Sequence, residues 1–205
     1  LPRAAHERKV VIASAAAPRA MRTGGPRGAI RIVNVVSTAD LAQKIDIASF
    51  NSYDSLSSDL RLYRCGYVKD SGMDGRVTVF GSGKMISVGT RSAAGSFGEL
   101  RRAARILRGH GLASRRRLAP SVRNIVASVR LGDGLDIEAL SQALPRSLYE
   151  PEQFPGVIHR TTRGAVALLF ASGRAVLVGA ASEGALREAH AEVSGMVERA
   201  LAQKN

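Results

Sequence analysis

Two stretches of this 205-residue chain read almost alike, and the interval between them limits the folds open to it. Residues 79–89 are VFGSGKMISVG and residues 169–179 are LFASGRAVLVG, so Phe80 and Phe170 stand 90 residues apart. Asn34 in IVNVVST (32–38) and Asn124 in VRNIVAS (122–128) keep that interval, as do Asp46 in KIDIASF and Asp136 in GLDIEAL. Three landmarks in one register imply a tandem duplication. The period is far longer than a solenoid unit, and two copies are too few for a stacked array. Two like halves therefore form one pseudo-symmetric body, with Asn34 and Asn124 expected near its axis.

Each half reads in the same order. A strand (29–37; 120–130) precedes a short helix (39–50; 135–144), then a run of strands that ends at the SGK or SGR turn and its return strand. A long helix closes each half (about 96–110; 183–202). The Ser-Gly pair predicts a two-residue hairpin turn. Along the strands, Ile32, Asn34 and Val36 share one face, and Val33 and Val35 the other. Phe80, Lys84, Ile86 and Val88 alternate with Val79, Met85 and Gly89. Leu168, Phe170, Arg174, Val176 and Val178 alternate with Leu169, Ala175 and Leu177. Side chains alternate across a sheet, so both faces are largely apolar. One long helix per half covers only one face, and large apolar faces are rarely left idle. The expectation is an α+β fold: a curved antiparallel sheet with helices on its convex side and an open face toward a partner. The organisation expected is a disordered basic tail (1–28), one repeat (29–112), a linker (113–119) and a second repeat (120–205).

Charge narrows the partner. Thirty Lys and Arg against seventeen Asp and Glu give a net charge of +13. That favours a polyanion, nucleic acid before an anionic membrane surface. The tail carries six Lys or Arg against Glu7 alone, which also suits an organelle transit peptide. A single cysteine, Cys65, rules out an internal disulfide framework. No Cys/His spacing suggests zinc, and no apolar run approaches a membrane span of about 18 residues.

Motifs for chemistry are weak. GSGK (81–84) lacks the first glycine of a Walker loop, where Thr78 stands, and the hydroxyl after the lysine, where Met85 stands. No Ser/His/Asp set, HExxH or recurring acid pair is present, so no enzyme, metal or cofactor is expected. RRAARILRGHGLASRRR (101–117) is a basic helix running into a basic linker, with phosphate contact one reading and a solvated face the other. In LYEPEQFPGVIHR (148–160), Pro155 and Gly156 force a bend directly after Phe154.

Taken together, NVVST, SGKMISVG, NIVAS, YEPEQFPGVIHR and LLFASGR resemble the TATA-binding protein family over roughly residues 29–202. The resemblance implies a saddle whose eight-stranded concave sheet sits on the widened minor groove of an A·T-rich box, with phenylalanine pairs wedged into the end base steps. It places Phe154 and Phe170 as one wedge pair and Phe80 in the other. Phe80's mate is Tyr63 or Leu62, with Tyr63 favoured because it sets Lys69 against Arg160. On that alignment residues 54–61 look inserted. Asn34 and Asn124 match the pair that meets minor-groove acceptors at the box centre. Val36, Val126, Ile86, Val88, Leu168, Val176 and Val178 match the apolar groove contacts, with Val88 and Val178 where threonine is usual. Lys84, Arg91, Arg160 and Arg174 match phosphate-contacting positions, while Ala181 replaces an expected lysine. Glu150 and Glu152 fall where the family docks its B-type transcription factor. The resemblance implies a general transcription initiation factor, monomeric on double-stranded A·T-rich DNA, reaching RNA polymerase indirectly and having no membrane partner. It would sit in the nucleoid of an archaeon or the nucleus of a eukaryote. The competing readings are a diverged DNA-bending paralogue and the substrate-binding module of a nucleic-acid enzyme.

Overall fold

The structure is a computed structural model and describes residues 28–114 and 117–202. The basic tail expected over 1–28 lies almost wholly outside the described residues. The first half contains β1 (Arg31–Asp40), a 3-10 turn (Ala48–Ser52), β2 (Leu56–Asp59), β3 (Cys65–Val68), β4 (Arg76–Phe80), β5 (Lys84–Thr90) and helix α1 (Ala93–Gly109). The second contains β6 (Ser121–Arg130), α2 (Ile137–Ala143), β7 (Ser147–Leu148), β8 (Val157–Arg160), β9 (Val166–Leu169), β10 (Arg174–Ala180) and α3 (Glu183–Ala202). All ten strands join one antiparallel sheet in the order β2-β3-β4-β5-β1-β6-β10-β9-β8-β7. That is two strands more than the resemblance implies, because the short edge strands β2 and β7 extend it.

The centre of the sheet is the pseudo-dyad. Strand β1 pairs with β6, and the pairs Asn34–Val126, Val35–Ile125 and Val36–Asn124 mirror one another about Val35 and Ile125. Each half then fans outward from its own central strand. The repeated aspartates both bond to the backbone just after them. Asp136 Oδ1 accepts from Ala139 N at 3.0 Å and caps α2, whereas Asp46 Oδ1 accepts from Ala48 N at 3.1 Å in a local turn, the 3-10 segment itself having Ile47 at its N-cap with no side-chain bond. Ser92 and Ser182 likewise accept from Gly95 N (3.0 Å) and Ala185 N (3.1 Å) at the starts of the long helices. Each such cap stabilises its helix by about 1 kcal/mol.

The helices lie on one side of the sheet. Leu100, Ala103, Ala104 and Leu107 of α1 bury with Val77, Val79 and Met85 in the first core. Leu186, Val193 and Val197 of α3 bury with Ile125, Leu169 and Leu177 in the second. Fully burying each Leu side chain contributes roughly 1.5–3 kcal/mol.

Four local expectations change. The first short helix is only the 3-10 turn, because β1 continues to Asp40 through residues expected to begin that helix. The hairpin turns hold three residues rather than two. Gly83 N donates to Phe80 O at 2.8 Å, and Gly173 N to Phe170 O at 3.0 Å. Both glycines sit at positive φ (90° and 80°), which a type I turn closed by a bulge requires. Gly89 does not share the face of Met85. At φ 98° it forms a bulge, is exposed, and leaves the next residue, Thr90, buried opposite Val35. Finally, residues 54–61 are not an insertion. Leu56 pairs with Val68 and Ser147 pairs with His159, so the two edge hairpins have equal length at an offset of 91 residues.

Candidate nucleic-acid interface

The helix-free side of the sheet carries the expected contact residues. Val36, Ile86, Val88, Val126, Leu168, Val176 and Val178 alternate with fully covered neighbours and are half-buried on this face. Cross-strand partners hold them in rows: Thr78 lies opposite Ile86, Thr38 opposite Ile86 on its other side, and Leu168 opposite Val176. The result is an apolar strip that no helix covers among the described residues.

At the middle of the strip the two asparagines are oriented alike. Asn34 Oδ1 accepts from Gly89 N at 2.8 Å, and Asn124 Oδ1 accepts from Gly179 N at 2.7 Å. Both donors belong to bulge glycines at positive φ, 98° and 93°. A bulge frees a backbone N–H from the ladder, and here the asparagine oxygen takes it. The orientation of each amide is thereby fixed, since only oxygen can accept that proton. Its NH2 group is left as the amide's remaining polar end, a donor only. The sequence contains both members of each bond, but only the bulge brings Gly89 and Gly179 to this face. Gly89 also tolerates no side chain: a Cβ there would stand 2.9 Å from Gly75 Cα.

The two ends of the strip differ. Phe154 and Phe170 pack together with ring centroids 5.7 Å apart and planes tilted by 58°. Glu150 O accepts from both Gln153 N and Phe154 N at 2.9 Å, a turn that sets Phe154 at the sheet edge. Gly156 lies beneath the rings: a Cβ there would meet Leu169 O at 2.7 Å, Phe154 at 3.1 Å and Phe170 at 3.2 Å. In the first half the equal edge hairpins set Tyr63 in register with Phe154, and Lys69 with Arg160. Tyr63 is 68% exposed and Leu62 is 80% exposed. Neither ring contact found among the described residues joins Tyr63 to Phe80. Where Pro155 stiffens the second bend, the first uses Arg64 at φ 45°, and buried Cys65 replaces Gly156.

Basic residues rim the strip. Lys84, Arg91, Arg160 and Arg174 are all exposed. Lys69 is not equivalent to Arg160 in use, because its Nζ donates to the carbonyls of Met73, Asp74 and Gly75 and closes its own loop. The structure adds Arg123, which sequence reading missed. It is the extra residue where the β1–β6 register shifts, and its Nε donates to Thr38 Oγ1 at 2.9 Å on the open face. Strand parity assigns Arg123 to the helix side, so only the bulge reveals it. Glu150 and Glu152 are exposed in the turn that leads to Phe154.

Behind the second repeat lies a buried polar group. His159 is wholly buried, and neither ring nitrogen has a hydrogen-bond partner. Burial lowers its pKa, opposed by Glu192, whose Oε1 stands 3.9 Å from Nε2. Burial pushes Glu192 upward, but hydrogen bonds from Thr162 Oγ1 (2.7 Å) and Thr162 N outweigh it and hold the carboxyl below its usual range. Among the described residues no three His, Cys, Asp or Glu side chains gather as a metal site, and no helix is long and apolar enough to cross a membrane.

Comparison with known proteins bears on this arrangement. The family model described as transcription factor TFIID, or TATA-binding protein, matches residues 29–110 and again 119–200. A TATA-box-binding protein of Cenarchaeum symbiosum is 45% identical over 164 residues, covering 79% of this chain and 90% of that protein. One from Pyrodictium occultum is 33% identical over 171 residues, covering 80% and 83%. The solved structure of the Methanococcus jannaschii TBP matches the fold with a TM-score of 0.74 at 24% identity, over 83% of this chain and 98% of that one. Two matched repeats, a shared sheet and these relatives lead to one assignment: the chain belongs to the TATA-binding protein family of transcription factors.

Proposed function

We propose that the open face binds A·T-rich duplex DNA through the minor groove and bends it, as a general transcription initiation factor. The observation that carries this reading is the amide pair. Asn34 and Asn124 have their oxygens committed to Gly89 and Gly179, so each offers only donors at the pseudo-dyad. The minor-groove edges of A·T and T·A pairs offer only acceptors, so the pair suits A·T in either orientation. The apolar strip faces the sugars and base edges, and Lys84, Arg91, Arg160 and Arg174 meet phosphates.

Phe154 and Phe170 enter the base step at one end. Phe80, with Tyr63 rather than Leu62, enters at the other. Glu150 and Glu152 receive a B-type transcription factor, which brings RNA polymerase, and the chain acts as a monomer on DNA in the nucleoid of an archaeal cell. The packed, supported ring pair in one half and the separate, exposed Tyr63 in the other support a sharper kink at the second repeat. Competition separates this reading from a general affinity for DNA. A small minor-groove binder should displace the protein from an A·T-rich duplex, and displacement by major-groove ligands alone would overturn the proposal.

A further inference from the structure

Strands β1 and β6 run side by side across the middle of the open face, and each carries one extra residue. Their ladder skips Val33 on β1 and Arg123 on β6. The residues just before these, Ile32 and Val122, pack against the core on the helix side. Each bulge therefore turns the next two side chains, Val33 with Asn34 and Arg123 with Asn124, toward the open face. The two ends of the ladder mirror one another. Arg31 lies opposite Ser128 at one end and Thr38 opposite Ser121 at the other, and Ser128 stands 90 residues beyond Thr38. Arg123 reaches the Thr38 end: its Nε donates to Thr38 Oγ1 at 2.9 Å, and that hydroxyl lies 3.4 Å from Ser121 Oγ. Arg31 occupies the other end. Its partner Ser128 also pairs with Val176 of the apolar strip, which sets Arg31 on the open face.

A cation thus stands at each end of the central strand pair, and the duplication explains neither. The residue 90 positions beyond Arg31 is Ser121, and the one 90 before Arg123 is Val33. The two halves supply their charge from different places in the repeat, yet bring it beside corresponding hydroxyls, Ser128 and Thr38. Both arginines are exposed. Arg102, Arg130, Arg146, Arg163 and Arg187 pair with carboxylates, whereas neither Arg31 nor Arg123 does so among the described residues.

We propose that Arg31 and Arg123 form a central clamp on the bound duplex, one arginine to the phosphate backbone of each DNA strand. The span of the ladder decides between bases and phosphates. Thr38 lies seven residues along β1 from Arg31, at most about 23 Å at roughly 3.3 Å per residue. The minor groove of B-DNA is about 6 Å wide, so even at twice that width the ladder ends reach its walls, where phosphates stand. A guanidinium fork matches phosphate bidentately, and Arg123 keeps its terminal nitrogens for that purpose while Nε holds Thr38. Phosphate contacts fix register and carry no sequence, so the clamp centres Asn34 and Asn124 over the groove without adding base preference. This inference rests on the open-face reading above and adds a contact at the box centre to those of the rim.

The test measures the full chain on a self-complementary A·T-rich duplex, by fluorescence anisotropy over a salt series. R31A and R123A should each weaken binding at least about fivefold at low salt and lower the slope of log affinity against log salt by about 0.9, and R31A/R123A by about twice that. R123K keeps the charge and should keep the slope. Arg101, exposed on the helix side, controls for lost charge alone, and R101A should change affinity less than about twofold. Thermal melts check that each variant folds. A scan then places one neutral methylphosphonate at a time in both strands of the box. The native protein should lose affinity at a position near the centre where R31A/R123A loses none. With that phosphonate in one strand only, R123A should lose at most about twofold, because it can turn so that Arg31 meets the charged strand. An unchanged salt slope in R31A/R123A, or a native protein insensitive at every central phosphate, overturns the clamp. So does a change in preference between A·T and G·C pairs at fixed slope, since the arginines would then read bases. Displacement by a small minor-groove binder reports on the open-face reading separately: without it both proposals fall, and with it an unchanged slope sinks the clamp alone.

Discussion

On the proposed reading, the two ends of each asparagine amide divide the work: Oδ1 holds the bulge and Nδ2 meets DNA. In Asn124→Asp, one carboxylate oxygen still accepts from Gly179 N, the bond that is 2.7 Å in the native chain. The other oxygen replaces the donor NH2 with an acceptor. On the DNA side a minor-groove acceptor is then left desolvated with no donor, which costs about 1–3 kcal/mol. At about 1.4 kcal/mol per factor of ten, affinity for an A·T-rich duplex should fall roughly 5- to 150-fold. Stability should hold within about 0.5 kcal/mol, because the bulge keeps its acceptor. Asn124→Ala removes both functions. It should lose affinity and also about 0.5–1.5 kcal/mol of stability, roughly 1–6 °C in Tm for a chain of this size. Fluorescence anisotropy on a duplex and a thermal melt of each variant supply the two readouts. If Asn124→Asp binds as tightly as the native protein, the amide donor has no part in recognition. If Asn124→Asp melts like Asn124→Ala, the bond to Gly179 is not what its geometry implies.

Bending should be lost with Phe154→Ala and barely changed with Tyr63→Ala, measured by energy transfer across a labelled duplex; equal losses would refute the difference between the two ends. Gly156→Ala drives a methyl to 2.7 Å from Leu169 O and against both rings. It should destabilise the protein by about 1–3 kcal/mol and spread the ring pair, lowering the bend even where binding persists; an unchanged melt and bend would refute the crowding. His159, neutral by burial, has a folded pKa below its ordinary 6.5. The unfolded chain then binds the extra proton, so stability is full above pH 6.5 and declines as pH falls until the folded pKa is reached. His159→Phe should reduce that decline in melts recorded from pH 8 to pH 5, leaving the part due to His190, whose pKa burial also lowers, and a decline of native size would place the titration elsewhere.

The sequence carries the architecture where one physical signal acts alone. The interval from Asn34 to Asn124 places the pseudo-dyad, and alternation in VTVF and VALLF separates helix-side from open-face residues because both strands are regular. Alternation fails at Gly89, because a bulge shifts parity by one and glycine has no side chain to betray its side. It fails at Arg123 for the same reason. The edge hairpins mislead differently. They follow an offset of 91 instead of 90, compensated further along the chain, so a fixed count of 16 residues back from Phe80 lands on Arg64 rather than Tyr63. The hydrogen bonds that orient Asn34 and Asn124 span 55 residues each, and nothing local in the chain announces them.

The joint between β1 and β6 has a consequence for the history of the molecule. Two antiparallel strands mirrored about Val35 and Ile125 are what two separate copies of a half would form if each offered its central strand to the other. A lone half would leave that strand's ladder groups unpaired and would self-associate through it. Joining the copies into one chain removes the demand that both keep identical side chains. Once identity is no longer enforced, α1 can be arginine-rich while α3 carries Glu198, and one end of the strip can hold a phenylalanine pair while the other carries the exposed Tyr63. A symmetric dimer presents the same surface to both directions along a partner, whereas a fused and diverged pair has a front and a back.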